Sequence, residues 1–269
     1  MKKLAARLKA DLYFILCNKA YFAFLLVPAL IMLDSPYDLY RHLSGDNGGS
    51  VFYHYFHSMS FGGLFGPYLI PMLCSLPYAA SFCEERSSGF WRTSIARGSW
   101  KGYFLSRFTL SVLSGGLVFA LGMIVFWSVL SFGLPLFSRD DLEFFNNFYY
   151  GKLVLSVPVM YVVVVVVYSF FSGCIYAAFA AAVSAFTTSR SAVIAAPFVL
   201  EFTWVRVCVL AGLENQYRLD QWLKMRSTCG GQIGAEEVTF LVCALCTTLI
   251  VLMCGIAFCR QGKKVLLNA

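Results

Sequence analysis

Long uncharged apolar runs alternate along this chain with short polar stretches. A helix rising 1.5 Å per residue needs about 20 apolar residues to cross roughly 30 Å of hydrocarbon. Six runs approach that length, at residues 16–33, 61–83, 108–132, 153–186, 191–213 and 238–259. The pattern therefore predicts an all-α polytopic membrane protein, with residues 1–269 forming a single transmembrane domain. The first run carries Lys19 near its start, where a long side chain can snorkel to the headgroups. Pro67, Pro71 and Pro77 predict a kinked second crossing, since each proline removes a backbone donor. The uncharged stretch at 153–189 would make a helix of roughly 55 Å, too short for two crossings and a turn. It reads as one long, tilted or bent helix.

Two flanking segments show a narrower apolar stripe. Leu4, Leu8, Leu12 and Ile15 fall within an arc of about 80° at 100° per residue, with Lys3, Arg7 and Lys9 outside it. Residues 1–15 thus read as an interfacial helix along the inner headgroups, or more simply as a basic tail that fixes orientation. Met1-Lys2-Lys3 resembles the start of a secretory signal, but Asn18 and Lys19 interrupt the apolar stretch and no small-residue cleavage site follows, so the segment is expected to be retained. Leu219, Trp222 and Leu223, at helical spacing among Arg218, Asp220 and Lys224, suggest a second surface-lying segment.

Composition narrows the class. Hydrophobic residues make up 59% of the chain and charged residues 13%, about half the ~25% of a soluble domain; the mean hydropathy is +0.70. Too little polar surface remains to coat a water-soluble enzyme. The net charge of +7 does not indicate nucleic acid, because its basic residues are distributed between spans. With six crossings, 14 of the 21 Lys and Arg fall on the side of the two termini, which are therefore expected to be cytoplasmic in a cell membrane. Nine of the ten cysteines lie in or beside apolar runs and read as small packing residues, Cys229 alone standing in a polar loop.

The longest expected cytoplasmic loop, residues 84–107, is polar yet interleaved with aromatics. Trp91 and Ile95 share a helical face while Arg92 and Arg97 point elsewhere, the arrangement of a short helix presented to a partner; composition alone also permits a basic loop that merely orients its flanking spans. The order Glu85-Arg86-x-x-Gly89, then Arg97, then Tyr103-x-x-Ser106-Arg107 leading into a span resembles the loop between the second and third helices of ABC-2 type transporter permeases. Residues 183–192, Val-Ser-Ala-Phe-Thr-Thr-Ser-Arg-Ser-Ala, are similar to that family's tight turn between helices four and five. Ser87, Phe90 and Arg107 depart from the family pattern. The resemblance implies a bacterial exporter of a peptide, drug or lipid-like substrate, with a cytoplasmic coupling helix between helices two and three. It also implies that Glu85, Arg86, Gly89, Trp91 and Arg97 engage a separate ABC ATPase, and that a second permease copy or paralogue completes the transporter. ATP and Mg would then sit on the partner ATPase: Gly230-Gly231-Gln232-Ile233-Gly234 lacks the lysine and hydroxyl of a phosphate loop. No cofactor, metal or catalytic residue is expected in this chain.

Glu201 and Arg206 lie inside the fifth run, where a lone charge costs about 2.5–3.5 kcal/mol on insertion scales. At five residues apart they stand about 140° around a helix, so partners on other elements are expected. The pair keeps an ion-coupled secondary transporter open, although no internal repeat accompanies it. An intramembrane protease is the third reading. Glu84-Glu85 resembles the paired glutamates of CAAX-type enzymes, but Gly89 stands where those need arginine, and His42, His54 and His57 all fall in the first outer segment. His54-x-x-His57 and Cys243-x-x-Cys246 lack further ligands and read as structural.

Overall fold

The computed structural model describes residue 13, residues 19–34, 36–43, 49–59, 63, 65–91, 95, 99–145 and 148–267. Every regular element among them is a helix. The chain runs through α1 (Lys19–Leu33), α2 (Pro36–Leu43), α3 (Val51–Ser58), α4 (Phe65–Ser75), α5 (Ser81–Ser88) and α6 (Trp100–Leu130). It continues through α7 (Arg139–Phe145), α8 (Gly151–Ser156), α9 (Pro158–Ser184), α10 (Arg190–Leu210), α11 (Leu219–Leu223) and α12 (Glu236–Leu267). Four helices, α6, α9, α10 and α12, are long and apolar enough to cross a membrane. At 31, 27, 21 and 32 residues they extend about 46, 40, 31 and 48 Å. α1 and α4 are apolar but shorter. Of the interfacial helix expected at 1–15, all but the exposed Tyr13 lies outside the described residues.

Helix ends follow local chemistry more than hydropathy. α6 starts at Trp100, well before the apolar run, because the Ser99 hydroxyl accepts from the Gly102 amide at 3.2 Å and caps the first turn. It thereby takes Lys101 and Arg107 into helix. α12 likewise carries Arg260, Lys263 and Lys264 as helical residues beyond its apolar stretch. The expected single helix over 153–186 is instead two: α8 stops at Ser156, and Pro158, which has no amide to donate, opens α9 at its first position. The proline-rich second run is also two helices, α4 with Pro71 inside it and α5, separated by a turn over 76–80 containing Pro77.

Two ends of the bundle are defined by their charges. At the Arg107 end, Phe82, Phe104 and Phe258 meet with ring centroids 5.1–5.6 Å apart, sealing α5, α6 and α12 together. At the Asp220 end, Phe52, Phe145 and Tyr161 make a second aromatic cluster at 4.8–6.1 Å. α1 lies along α6: Tyr21 packs near Leu110, and Val27 sits where a side chain on Gly122 would be. Asp34, just beyond α1, accepts from the Phe65 and Gly66 amides at 2.9 and 3.0 Å and from the Ser58 hydroxyl at 2.6 Å. A carboxylate thus answers the positive N-terminus of α4. α4 and α5 together extend from this cap to Glu85 at the opposite end.

The centre is a close crossing of α6 and α9. A Cβ on Gly115 would fall 2.3 Å from the Ala177 Cβ, and one on Gly173 would fall 2.6 Å from the Gly115 carbonyl. Small residues let the two backbones touch, which is how helices associate where lipid removes the usual hydrophobic drive. By contrast α12 turns Leu241, Leu245, Leu252 and Met253 outward, the face a lipid-solvated helix requires. Gly173→Val is expected to wedge α6 from α9, losing about 1–3 kcal/mol and lowering the unfolding temperature of the purified protein in a thermal-shift assay. An unchanged midpoint would mean that the crossing is looser than described.

Candidate functional site

At the Arg107 end, α5 terminates on Gly89, whose φ of 73° is open to glycine and strained for other residues. Four residues earlier, Glu85 turns back into the protein. Its carboxylate accepts from the Tyr103 hydroxyl and pairs with the Arg107 guanidinium. That guanidinium also bonds the Tyr78 hydroxyl and lies 4.9 Å from the Tyr78 ring centroid and 5.7 Å from that of Tyr103. Next door, Arg86 donates to the Ala185 carbonyl at 3.1 Å, and Glu84 meets Arg190 at 2.9 Å. The second pair is exposed and therefore worth little in energy; the first is mostly shielded from water. Together these contacts fasten the end of α5, the start of α6 and the turn between α9 and α10 into one polar platform.

The platform differs from the expectation of a presented docking helix. Trp91 is buried, only 3% exposed, and Ile95 packs on the same apolar cluster, so their shared face points inward. Periodicity identified the face but not its direction. Glu85 and Arg86 bond within the chain, while Gly89 sits at the turn. Arg97 and Arg92 lie outside the described residues. Among the described residues of α5 and the turn after it, Glu84, Ser87, Ser88 and Phe90 face outward. Tyr103 and Arg107, 18 and 22 residues beyond Glu85, and Tyr78, seven residues before it, complete the arrangement; the sequence pattern included Tyr103 and Arg107 without showing that they bond Glu85.

A second charged site occupies the other half. Glu201 stands eleven residues after Arg190, about 16 Å along α10, and is 5% exposed. Its carboxylate accepts from the Lys224 ammonium at 2.7 Å and from the Tyr176 hydroxyl at 3.2 Å. Lys224 follows α11, so the segment expected to lie on the surface folds into the bundle instead. Leu223 is buried, Leu219 and Trp222 pack on the core, and Asp220 and Gln221 are buried beside them. The helical spacing was sound, but the charges interspersed with its apolar residues find protein partners rather than water. Asp220 accepts from Arg218 at 2.8 and 3.2 Å, from the Trp204 indole at 3.0 Å and from Gln221 at 2.8 Å. Burial pushes its pKa up, yet the Arg218 bond and the charges of Lys224 and Arg218 outweigh this and hold it below the ordinary 3.8.

Arg226 continues the segment. It donates to the Phe56 carbonyl at 3.2 Å and stacks 5.1 Å from the Phe56 ring centroid; burial lowers its pKa. Nearby Tyr55 is pushed up to about 12, again by burial, against the opposing charge of Arg226. Arg206 is not brought to Glu201. It is exposed and lies 5.3 Å over the Phe202 ring. The need for a cation at Glu201 is written in any intramembrane carboxylate, but that Lys224 supplies it depends on the fold of a connecting segment. Between α9, α10, α11 and α12 a cavity of about 290 Å³ opens beside this ion pair.

Among the described residues no group of three or more His, Cys, Asp or Glu is placed to hold a metal, and the nine described cysteines are free thiols. His54 is buried and His57 stacks on Tyr53. No protein-family profile, no curated protein and no solved structure matches this chain.

Because the folded Asp220 has a depressed pKa, its bonds stabilise the segment at every pH above the ordinary carboxylate value and are lost as pH falls through the lower folded value. Acidification below about pH 4 is therefore expected to release α11, read as a change in tryptophan emission from Trp204 and Trp222. Asp220→Asn should remove that transition and, by taking the carboxylate charge from Arg218, cost ~3 kcal/mol at neutral pH. Wild-type stability at pH 7 in the variant would contradict the assignment.

Proposed function

We propose that this chain is the membrane permease subunit of an ATP-driven exporter of ABC-2 type. In this reading it crosses the cell membrane six times, with α1 as the first crossing, α4 and α5 jointly as the second, and both termini cytoplasmic. The observation that carries the reading is the polar platform at the Arg107 end. Two loops that the sequence resemblance assigns to the cytoplasm are tied there into one body, and that body is fixed to three helices. A soluble ATPase pressing on the exposed rim of Glu84, Ser87, Ser88 and Phe90 moves α5, α6 and the α9–α10 turn together, because Glu85 bonds Tyr103 and Arg107 on α6 and Arg86 bonds Ala185 in the turn. Glu85 is on this account a positioning residue rather than a direct contact. ATP and Mg²⁺ belong to that partner, and a second permease copy or paralogue supplies the other half of the route for a peptide, drug or lipid-like cargo.

A second reading, an ion-coupled transporter, draws on the Glu201–Lys224 pair, since a buried carboxylate within a span is the usual carrier of a coupling proton or cation. Partnership separates the two. Affinity purification is expected to recover a stoichiometric soluble ATPase, whereas uptake into vesicles driven by an ion gradient without nucleotide would favour the second reading.

Substitution gives the sharper measurement. Glu85→Ala takes the paired carboxylate from Arg107 and Gly89→Pro demands a backbone angle proline cannot adopt. Each is expected to lower ATP-coupled transport in reconstituted vesicles at least about tenfold, while the partner continues to hydrolyse ATP. Full coupling in both variants would remove the platform from the mechanism.

A further inference from the structure

The cavity beside Glu201 has the composition of a binding site rather than of a packing fault. Its 290 Å³ lies at the lower edge of the roughly 300–1,000 Å³ typical of small-molecule pockets. Ile175, Phe179, Leu200 and Ile250 give it an apolar wall, and Tyr176 and Trp204 add aromatic rings with a polar edge. Its charged part is the Glu201–Lys224 pair, the neighbouring Asp220 being already held by Arg218. Glu201, which already takes an ammonium beside aromatic faces, is the acceptor that a second ammonium on an apolar body would seek.

Lys224 itself behaves as a tethered ligand. Its side chain is a butylammonium reaching from a connecting segment to the Glu201 carboxylate at 2.7 Å. The same side chain lines two smaller cavities of about 10 and 20 Å³, one bordered by Tyr68 and Arg226, the other reaching Phe119, Ser169 and Pro71. Lys224 therefore partitions three adjoining spaces. Any free amine carrying an apolar body matches both the wall and the acceptor.

We infer that this cavity binds an amphiphilic amine, an ammonium on an apolar body, and that the bound ammonium takes the Glu201 carboxylate from Lys224. The released Lys224 joins the cavities and loosens α11. As a statement about binding this stands without the exporter reading; as a statement about the cargo it rests on that reading.

The test uses the full chain in phosphatidylcholine nanodiscs, without ATPase or nucleotide, so its failure is distinct from a failure of the docking account. Equilibrium binding of isotopically labelled 4-phenylbutylamine and 4-phenylbutyrate, a matched pair of opposite charge, is measured with empty nanodiscs subtracted. The amine is expected to bind saturably and at least about tenfold more tightly than the acid. Glu201→Gln should weaken the amine about tenfold or more, whereas Lys224→Met, which removes the internal competitor, should tighten it by about as much. A merely structural ion pair would instead make both substitutions weaken binding, and that result, at unchanged helical content, would overturn the exchange. Equal or tighter binding of the acid to the unmodified chain would overturn the site itself, and this comparison needs no variant to fold.

Discussion

Hydrocarbon offers no water to a buried carboxylate or to an open amide, so each must find its partner inside the protein. That constraint accounts for the pairing of the buried carboxylates, though not for Arg206, which stays exposed over the Phe202 ring. Glu85 meets Arg107 and Tyr103, Glu201 meets Lys224 and Tyr176, and Asp34 takes up the amides that open α4. Apolar side chains are freed from the task of hiding from solvent, and α12 can leave most of its leucines outside. Tight association then falls to small residues, with Gly115, Gly173 and the alanines of α9 bringing backbones together at the centre of the bundle.

The two charged sites differ in what they connect. The Glu85 network gathers the ends of neighbouring helices and a tight turn, and it makes them one mechanical piece. The Glu201 network joins a helix interior to a connecting segment that is only five helical residues long at α11. A force applied at the first site is carried by long helices with cores of aromatic contact. The second combines the packing of Leu219, Trp222 and Leu223 with a few charge-assisted bonds, and a proton on Asp220 weakens those bonds. On the proposed reading, rigidity at one end and release at the other suit a transport subunit driven from outside itself.

Much of the scaffold was legible as periodicity, and much of the chemistry was not. The four long helices fall on four of the apolar runs, because length and hydropathy are local properties. Their ends were misjudged where polar residues stay helical, as Lys101 and Arg107 do after the Ser99 cap. Pro158 signalled a helix start that the surrounding valines obscured. At the sites, the isolation of Glu201 announced a missing partner, but Lys224 enters only because Leu219, Trp222 and Leu223 anchor their segment in the core. Glu85 and Arg86 were singled out by resemblance, and their inward bonds depend on pairings with residues as distant as Arg107 and Ala185. Trp91 shows the limit most plainly: a helical stripe gives a face without saying what covers it.

The central claim is that the short α1 and the broken α4–α5 pair each cross the bilayer, so that the segment between them lies opposite the termini. It is tested most directly by placing a biotin-acceptor tag after the exposed Leu43 and another at the carboxyl end, then labelling intact cells with an impermeant ligase. The account predicts labelling at Leu43 and protection of the carboxyl end until the membrane is opened. Both tags reacting alike on intact cells would show that these helices return to the side they entered from, and would contradict it.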